Sequence, residues 1–251
     1  MSKRILFCGG KNIGFQCLSF MTEAGYDIID IVPNPSDITD KRTFPSVTEL
    51  GWKKKIPVLP SNHLDSVKNI ESIKKLEPDL IVVVYFDRIL KPALINIPPL
   101  GCINLHMALA EEYRGCFPTT WAILNGEQRT GVTLHYIDTE VDSGDIIAQL
   151  EVPITDTTTG KSLYDDCTVA GVKLFKEYFP LIEQGTVPRR EQIVTDKTKS
   201  YPRVFPSQEI DFSQSGEEIL RHIKAHIFPP YPPAYFYIGE QKYYIVSEDK
   251  D

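Results

Sequence analysis

The sequence predicts an α/β protein, an open and mostly parallel sheet followed by a small β-rich subdomain, and three observations carry that prediction. Apolar, β-branched runs recur over about residues 1–105 without polar alternation, as expected of strands covered on both faces. Between them, apolar residues return at helical spacing. From Tyr201 onward the composition turns to proline and aromatic residues, with two short strand-like runs.

Taken in order, Arg4–Cys8 reads as a first strand stopped by Gly9-Gly10, and Ile13, Cys17, Phe20 and Met21 recur at helical spacing up to Gly25. A second apolar run, Ile28–Val32, ends in the Pro- and Asp-rich stretch 33–46, and a third, Ile56–Leu59, precedes a helix over Ser66–Leu76. Leu80–Phe86 is the strongest strand. Residues 116–125 read as a short helix, Gly131–Ile137 and Asp145–Pro153 as extended segments, and Ser162–Gln184 as a long amphipathic helix stopped by Gly185. The tail holds Ile210–Phe212, a helix near Glu217–Ala225, the Pro229–Pro233 cluster, and strand-like runs at 235–238 and 242–246. The first part is therefore a Rossmann-like sheet whose ligands are expected beyond the carboxyl ends of its strands.

The chain has 251 residues, 42% hydrophobic and 24% charged, enough for two unequal cores; we expect a catalytic domain over 1–200 and a subdomain over 201–251. Lys and Arg total 27 against 34 Asp and Glu, a net charge of -7, which argues against a nucleic-acid partner while leaving room for a local basic pocket. Five scattered cysteines without a C-x-x-C pair suggest neither a disulfide framework nor a zinc ribbon. The apolar run after Lys3-Arg4 is too short for a signal peptide, and Leu80–Phe86 cannot span a bilayer, so a cytoplasmic protein with no membrane association is expected.

Chemistry concentrates between Ile103 and Ile147, which contains Asn104-Leu105-His106, Tyr113-Arg114-Gly115, Gly131-Val132-Thr133-Leu134-His135 and Val141-Asp142-Ser143-Gly144. An N-x-H alone is a weak signal. Here it closes a buried strand, with an Arg eight residues after His106 and a Val-Asp-x-Gly whose Asp follows Asn104 by 38. In that combination the chain resembles the folate-dependent formyltransferases, a family that includes glycinamide ribonucleotide, methionyl-tRNA and amino-sugar-nucleotide enzymes. The resemblance spans about residues 1–190, and the stretch from Gly131 to Gln149 is most similar to the amino-sugar members.

The resemblance implies Asn104, His106 and Asp142 as the catalytic residues. Formyl transfer by amine attack passes through a tetrahedral oxyanion. An amide N–H from Asn104 and a ring N–H from His106 can stabilise it, His106 can move the amine proton, and Asp142 can orient the imidazole. The co-substrate would be 10-formyltetrahydrofolate, with no metal. Its pterin is expected against Phe86, Arg88, Ile89 and Leu90 on one side and Asp138 and Val141 on the other, with Ile89, Leu90 and Val141 as apolar walls and backbone groups reading the ring edge.

Met107-Ala108-Leu109-Ala110-Glu111 replaces the Ser-Leu-Leu-Pro that many members carry after the His, which reshapes the acceptor wall. The tail is shorter and more mixed in charge than the basic domain of the tRNA enzymes, and its Phe228–Phe236 Pro/aromatic turn resembles the amino-sugar enzymes. A nucleotide-linked amino sugar follows as the acceptor, of the dTDP-4-amino-4,6-dideoxyglucose type used for surface polysaccharide such as O-antigen. Lys11, Arg114, Arg203 and Lys224 are candidates for its phosphates and Trp121 and Tyr231 for its base, with Asn12 a further substrate contact. Gly9–Gly14 is neither G-x-G-x-x-G nor a P-loop. The apolar tail suggests a homodimer.

Other readings stay open on the residues alone. A glycinamide ribonucleotide enzyme, or a hydrolase releasing formate, would need the same three residues; a metal hydrolase would use His106, His135 and Asp142; a nucleotide-sugar sensor would need none of them. His135, alternating with Leu134 and Tyr136, reads as a packed strand residue, and His63, His222 and His226 as surface or subdomain residues.

Overall fold

A computed structural model of the chain describes residues 2–38 and 43–246; residues 39–42 of the Pro- and Asp-rich stretch and residues 247–251 of the tail lie outside it. The first half contains β1 (Arg4–Gly9), α1 (Lys11–Glu23), β2 (Asp27–Pro33), α2 (Val47–Lys54), α3 (Val67–Lys75), β3 (Leu80–Val84), α4 (Pro92–Ile95) and β4 (Cys102–His106). There follow β5 (Tyr113–Gly115), α5 (Pro118–Leu124), β6 (Arg129–Tyr136), β7 (Ile146–Pro153) and α6 (Gly160–Gln184). The main sheet has six strands in the order β2-β1-β3-β4-β6-β7. Its first four strands are parallel, and β6 and β7 run antiparallel to their neighbours.

Two-faced burial explains the continuous apolar runs. Along β1, Ile5 and Phe7 enter one core with Cys17 of α1 and Phe175 and Phe179 of α6, while Leu6 and Cys8 enter the other with Ile73 of α3 and Leu94 of α4. Strand β3 divides in the same way, Leu80, Val82 and Val84 against Ile81 and Val83. Period-two geometry leaves no position for a polar side chain when both faces are covered. Each fully buried Leu, Ile or Phe contributes roughly 1.5–3 kcal/mol.

The local signals set the ends. Thr159 and Ser162 form a reciprocal cap that starts α6 two residues before the expected position, and Gly185, at φ 71°, stops it as expected. Helix α2 was not expected. Its cap Ser46 accepts from the Glu49 N–H, and the buried Asp37 carboxylate takes the Val47 and Thr48 N–H groups, so the Asp-rich stretch ends as a helix cap. The run Ile56–Leu59 is not a sheet strand: Ile31 donates to the Pro57 carbonyl and accepts from the Leu59 N–H, and the pairing ends at one bridge because Pro57 and Pro60 have no N–H to extend it.

After α6 the chain returns along the site. Strand β8 (Lys199–Tyr201) pairs parallel with β5, α7 (Gly216–Ala225) packs on α5, and β9 (Tyr235–Ile238) with β10 (Gln241–Tyr244) forms an antiparallel hairpin. The run Ile210–Phe212 contributes only a neighbouring bridge, Glu209 to Tyr235.

Candidate functional site

Strand β4 carries Asn104 and His106 two residues apart, so both side chains leave the same face at its carboxyl end. The antiparallel register of β6 sets His135 opposite Asn104. The β6–β7 connection brings Asp142 over the pair. Asp142 has φ 52°, a left-handed conformation that Asp tolerates better than most residues.

The four side chains form one cluster. Asn104 Nδ2 donates to Asp142 Oδ1 at 3.1 Å and meets His135 Nε2 at 3.2 Å. His135 Nδ1 lies 2.7 Å from the Tyr136 carbonyl, which places the proton there and leaves Nε2 as the acceptor for Asn104. His106 Nε2 lies 2.9 Å from the Tyr113 carbonyl and so donates to it, while Nδ1 faces Asp142 Oδ2 at 3.5 Å. That second contact is too long for a good hydrogen bond and pairs opposite charges only when the ring is protonated. Asp142 Oδ2 also accepts from the Gly115 N–H at 2.9 Å. Burial pushes the Asp142 carboxyl up, but His106, His135 and the Gly115 N–H together outweigh it and hold the group well below the usual carboxylate range.

Two glycines make the cluster possible. Gly115 has φ 83°, and a Cβ there would stand 2.1 Å from the Tyr201 carbonyl oxygen; a Cβ on Gly144 would stand 2.0 Å from that of Tyr136. Any larger residue would displace the backbone beside the Asp142 carboxylate.

The structure brings Asn104, His106 and Asp142 together, as the spacing anticipated. The predicted pterin side is mixed. Ile89 is 73% and Val141 45% exposed, while Leu90 packs into the core with Val83 and Cys102, so its backbone alone can face a ligand. Phe86 is half-buried against the same core, Arg88 donates to Asn62 Oδ1 at 3.1 Å, and Asp138 accepts from the Ser143 hydroxyl. Among the predicted substrate contacts, Lys11 stands over the Phe44 ring and Asn12 is half-buried beside it at the start of α1. Arg203 pairs with Asp87 at 3.0 Å, and the Tyr231 hydroxyl meets Thr43 Oγ1 at 3.5 Å. Arg114 is partly engaged inside the protein, donating to the Ala110 carbonyl and to Gln192 Oε1. Trp121 is stacked on Tyr201 with ring centroids 4.2 Å apart, and Lys224 donates to the Asp156 carbonyl; their contacts do not reach the cluster.

His106, His135 and Asp142, the set a metal reading would use, do converge. The amide hydrogens of Asn104 point between Asp142 Oδ1 and His135 Nε2, where a cation would have to lie, and the two carboxylate oxygens face different histidines. The donor set is therefore ill-suited to a metal, and no metal-holding group of His, Cys, Asp or Glu occurs among the described residues.

Two residues beside the site escaped the sequence reading, and a third, His135, entered it only as packing or as a ligand in the metal reading. His135 looked like packing because it sits within an apolar strand; its register with Asn104 appears only once β6 pairs with β4. Asn34 follows β2 and clamps the next loop, its Nδ2 donating to the Tyr85 carbonyl at 2.8 Å and its Oδ1 accepting from the Asp87 N–H at 2.7 Å. The Pro33-Asn34-Pro35 sequence was its signal. Gln192 is the other; it comes from an irregular segment with no periodicity.

Residues 4–178 match the family described as Formyl transferase and residues 206–250 the family described as Formyl transferase, C-terminal domain. Methionyl-tRNA formyltransferase of Clostridioides difficile (strain 630) is 36% identical over 237 residues, covering 92% of this chain and 75% of that protein. An N-formyltransferase from Helicobacter canadensis, solved with folinic acid and dTDP-3-aminofucose, superposes with TM-score 0.78 at 25% identity, over 96% of this chain and 86% of that one. A 4-N formyltransferase from Francisella tularensis has TM-score 0.79 at 23% identity, over 98% and 97% of the two chains, and shows the shared fold.

Proposed function

The chain belongs to the folate-dependent formyltransferase family, and from that premise we propose that it moves the formyl group of 10-formyltetrahydrofolate onto the amine of a nucleotide-linked amino sugar, in the cytoplasm. The observation that carries the chemistry is the Asn104–His106–Asp142 cluster at the carboxyl end of β4. In the reaction the amine nitrogen bonds to the formyl carbon, the bond from that carbon to the folate nitrogen breaks, and the amine proton passes to that nitrogen. One amide hydrogen of Asn104, moved from His135 Nε2 to the formyl oxygen, would stabilise the oxyanion. His106, anchored by Tyr113, has its Nδ1 side only loosely held and is suited to carry the proton, with Asp142 balancing its charge.

Pterin contacts from Phe86 to Leu90 and from Asp138 and Val141 complete the reading, with the exposed Ile89 and Val141 as apolar walls. For the acceptor, the support is that Arg203 and Tyr231 of the tail reach back to Asp87 and Thr43, beyond the strand ends where Lys11 and Asn12 also lie. Cations and an exposed aromatic ring closing that crevice suit a nucleoside diphosphate. The relative solved with dTDP-3-aminofucose agrees with this choice. We divide the chain into a catalytic domain over 1–200 and a subdomain over 201–251. The exposed Phe212, Tyr237, Ile238 and Tyr244 of the latter support a homodimer formed through it.

The 36% identity to a methionyl-tRNA enzyme favours a second reading, formylation of an aminoacyl-tRNA, which the net charge of -7 weighs against. A panel of acceptors separates them: dTDP- and UDP-amino sugars, methionyl-tRNA, glycinamide ribonucleotide, and none. Mass gain of one formyl group on a single nucleotide sugar is the expected result; formylation of methionyl-tRNA alone would replace the sugar reading, and formate without a formylated acceptor would make the chain a hydrolase.

A further inference from the structure

Between α6 and β8 the chain crosses the site as an irregular strap, residues 186–198, that lies outside both family matches. It is tied down along its length. Arg190 exchanges backbone hydrogen bonds with Ile146, at 2.7 and 3.0 Å, and its guanidinium holds both oxygens of Glu111. The Ile193 N–H reaches Glu111 Oε1 at 2.8 Å, and the Thr198 hydroxyl reaches the Glu111 carbonyl at 2.6 Å.

One strap residue is buried within this frame. Gln192 is 8% exposed, and its Nε2 donates to the Asp142 carbonyl at 2.9 Å and to the Gly144 carbonyl at 2.7 Å. Its Oε1 accepts from Arg114 Nη2 at 2.7 Å. Both amide hydrogens therefore grip the turn that holds Asp142 in its left-handed conformation, and the oxygen ties that grip to the segment that supplies the Gly115 N–H. No other side chain among the described residues is shown bonding the Asp142 and Gly144 carbonyls together.

We propose that Gln192 is the positioning residue for Asp142, setting the distance of its carboxylate from His106 and Asn104 without touching substrate. The inference rests on the catalytic reading of Asp142. A shift of about 1 Å in such a group can lower the rate about 10²-fold.

The test uses two variants of the full chain. Gln192→Met keeps the length and removes every hydrogen bond; Gln192→Glu keeps an acceptor for Arg114 and removes the two donors. Each should lower kcat about 10- to 100-fold with the folate KM changed less than about threefold, as expected for lost positioning of the catalytic group. Added to Asp142→Asn, each should cost less than about threefold more, because the two residues act as one unit. The Gly115 amide, bonded to Asp142 Oδ2, supplies a readout free of any substrate: its hydrogen exchange, followed by NMR, should quicken at least about tenfold in both variants. Unchanged Gly115 exchange, or an undiminished Gln192 effect on top of Asp142→Asn, overturns the proposal. Should Gln192→Met fail to fold, Gln192→Glu decides alone. If no acceptor is formylated by the unaltered chain, the functional reading fails, and the amide exchange still decides whether Gln192 places Asp142.

Discussion

The two walls of the proposed site are built in different ways. At the end of β4, Asn104, His106, His135 and Asp142 are partnered with one another or with backbone, and the two histidines and the carboxylate are largely shielded from water. In the second wall, Ile89, Val141 and Tyr231 are exposed, and Arg203 has a single carboxylate partner, Asp87. The first wall is over-determined by strand register, two glycines and the strap. The second is held by one or two weak contacts per residue. Such a difference lets the chemistry stay fixed while the acceptor changes, since a surface ion pair contributes about 0–1 kcal/mol and can be replaced at little cost to the fold.

That contrast can be broken first at the buried wall. Asp142→Asn should lower kcat by roughly 10³ or more, with folate binding changed less than threefold, in steady-state assays and equilibrium titration. Next, Gly115→Ala, which must move the Tyr201 carbonyl or its own φ of 83°, should reduce kcat about 10²-fold. At the open wall the split should reverse: Arg203→Ala should raise the acceptor KM about tenfold with kcat within twofold, and equal losses in kcat would show the two walls to be one unit.

The smallest effect concerns pH. The Asp142 pKa is lower in the fold than its ordinary 3.8, so its charge contributes stability in full above that value and loses it as the pH falls through the lower folded one. Urea unfolding at neutral pH and near pH 3 should therefore show the gap between the unaltered chain and Asp142→Asn narrowing in acid. A gap that widens would mean the carboxylate is not held by His106, His135 and Gly115.

The two walls also differ in how far the sequence reveals them. Strands β1 and β3 could be read because burial on both faces removes polar residues from them, and Asn104, His106 and Asp142 were singled out because their motifs resemble those of a known family. Helix α2 was overlooked although Ser46-x-x-Glu49 is a local cap signal; only its second cap, Asp37, nine residues before Ser46, depends on the fold. His135 was taken for packing because its role depends on antiparallel register, a long-range fact that local periodicity does not contain. Leu90 was placed in the ligand wall with Ile89, but its side chain enters the core while that of Ile89 is exposed. Trp121 and Lys224 were chosen by residue type alone, and tertiary contacts with Tyr201 and Asp156 engage them elsewhere.

Passage of a formyl group from folate to an amine at the buried cluster can be followed atom by atom. Carbon-13 placed in the formyl group of 10-formyltetrahydrofolate, followed by NMR with and without the amino-sugar nucleotide, tests it directly. The label is expected to leave the folate only when the amine is present and to appear as its formamide. Release as formate at the same rate with or without the amine, or a label that never leaves the folate, would contradict that transfer.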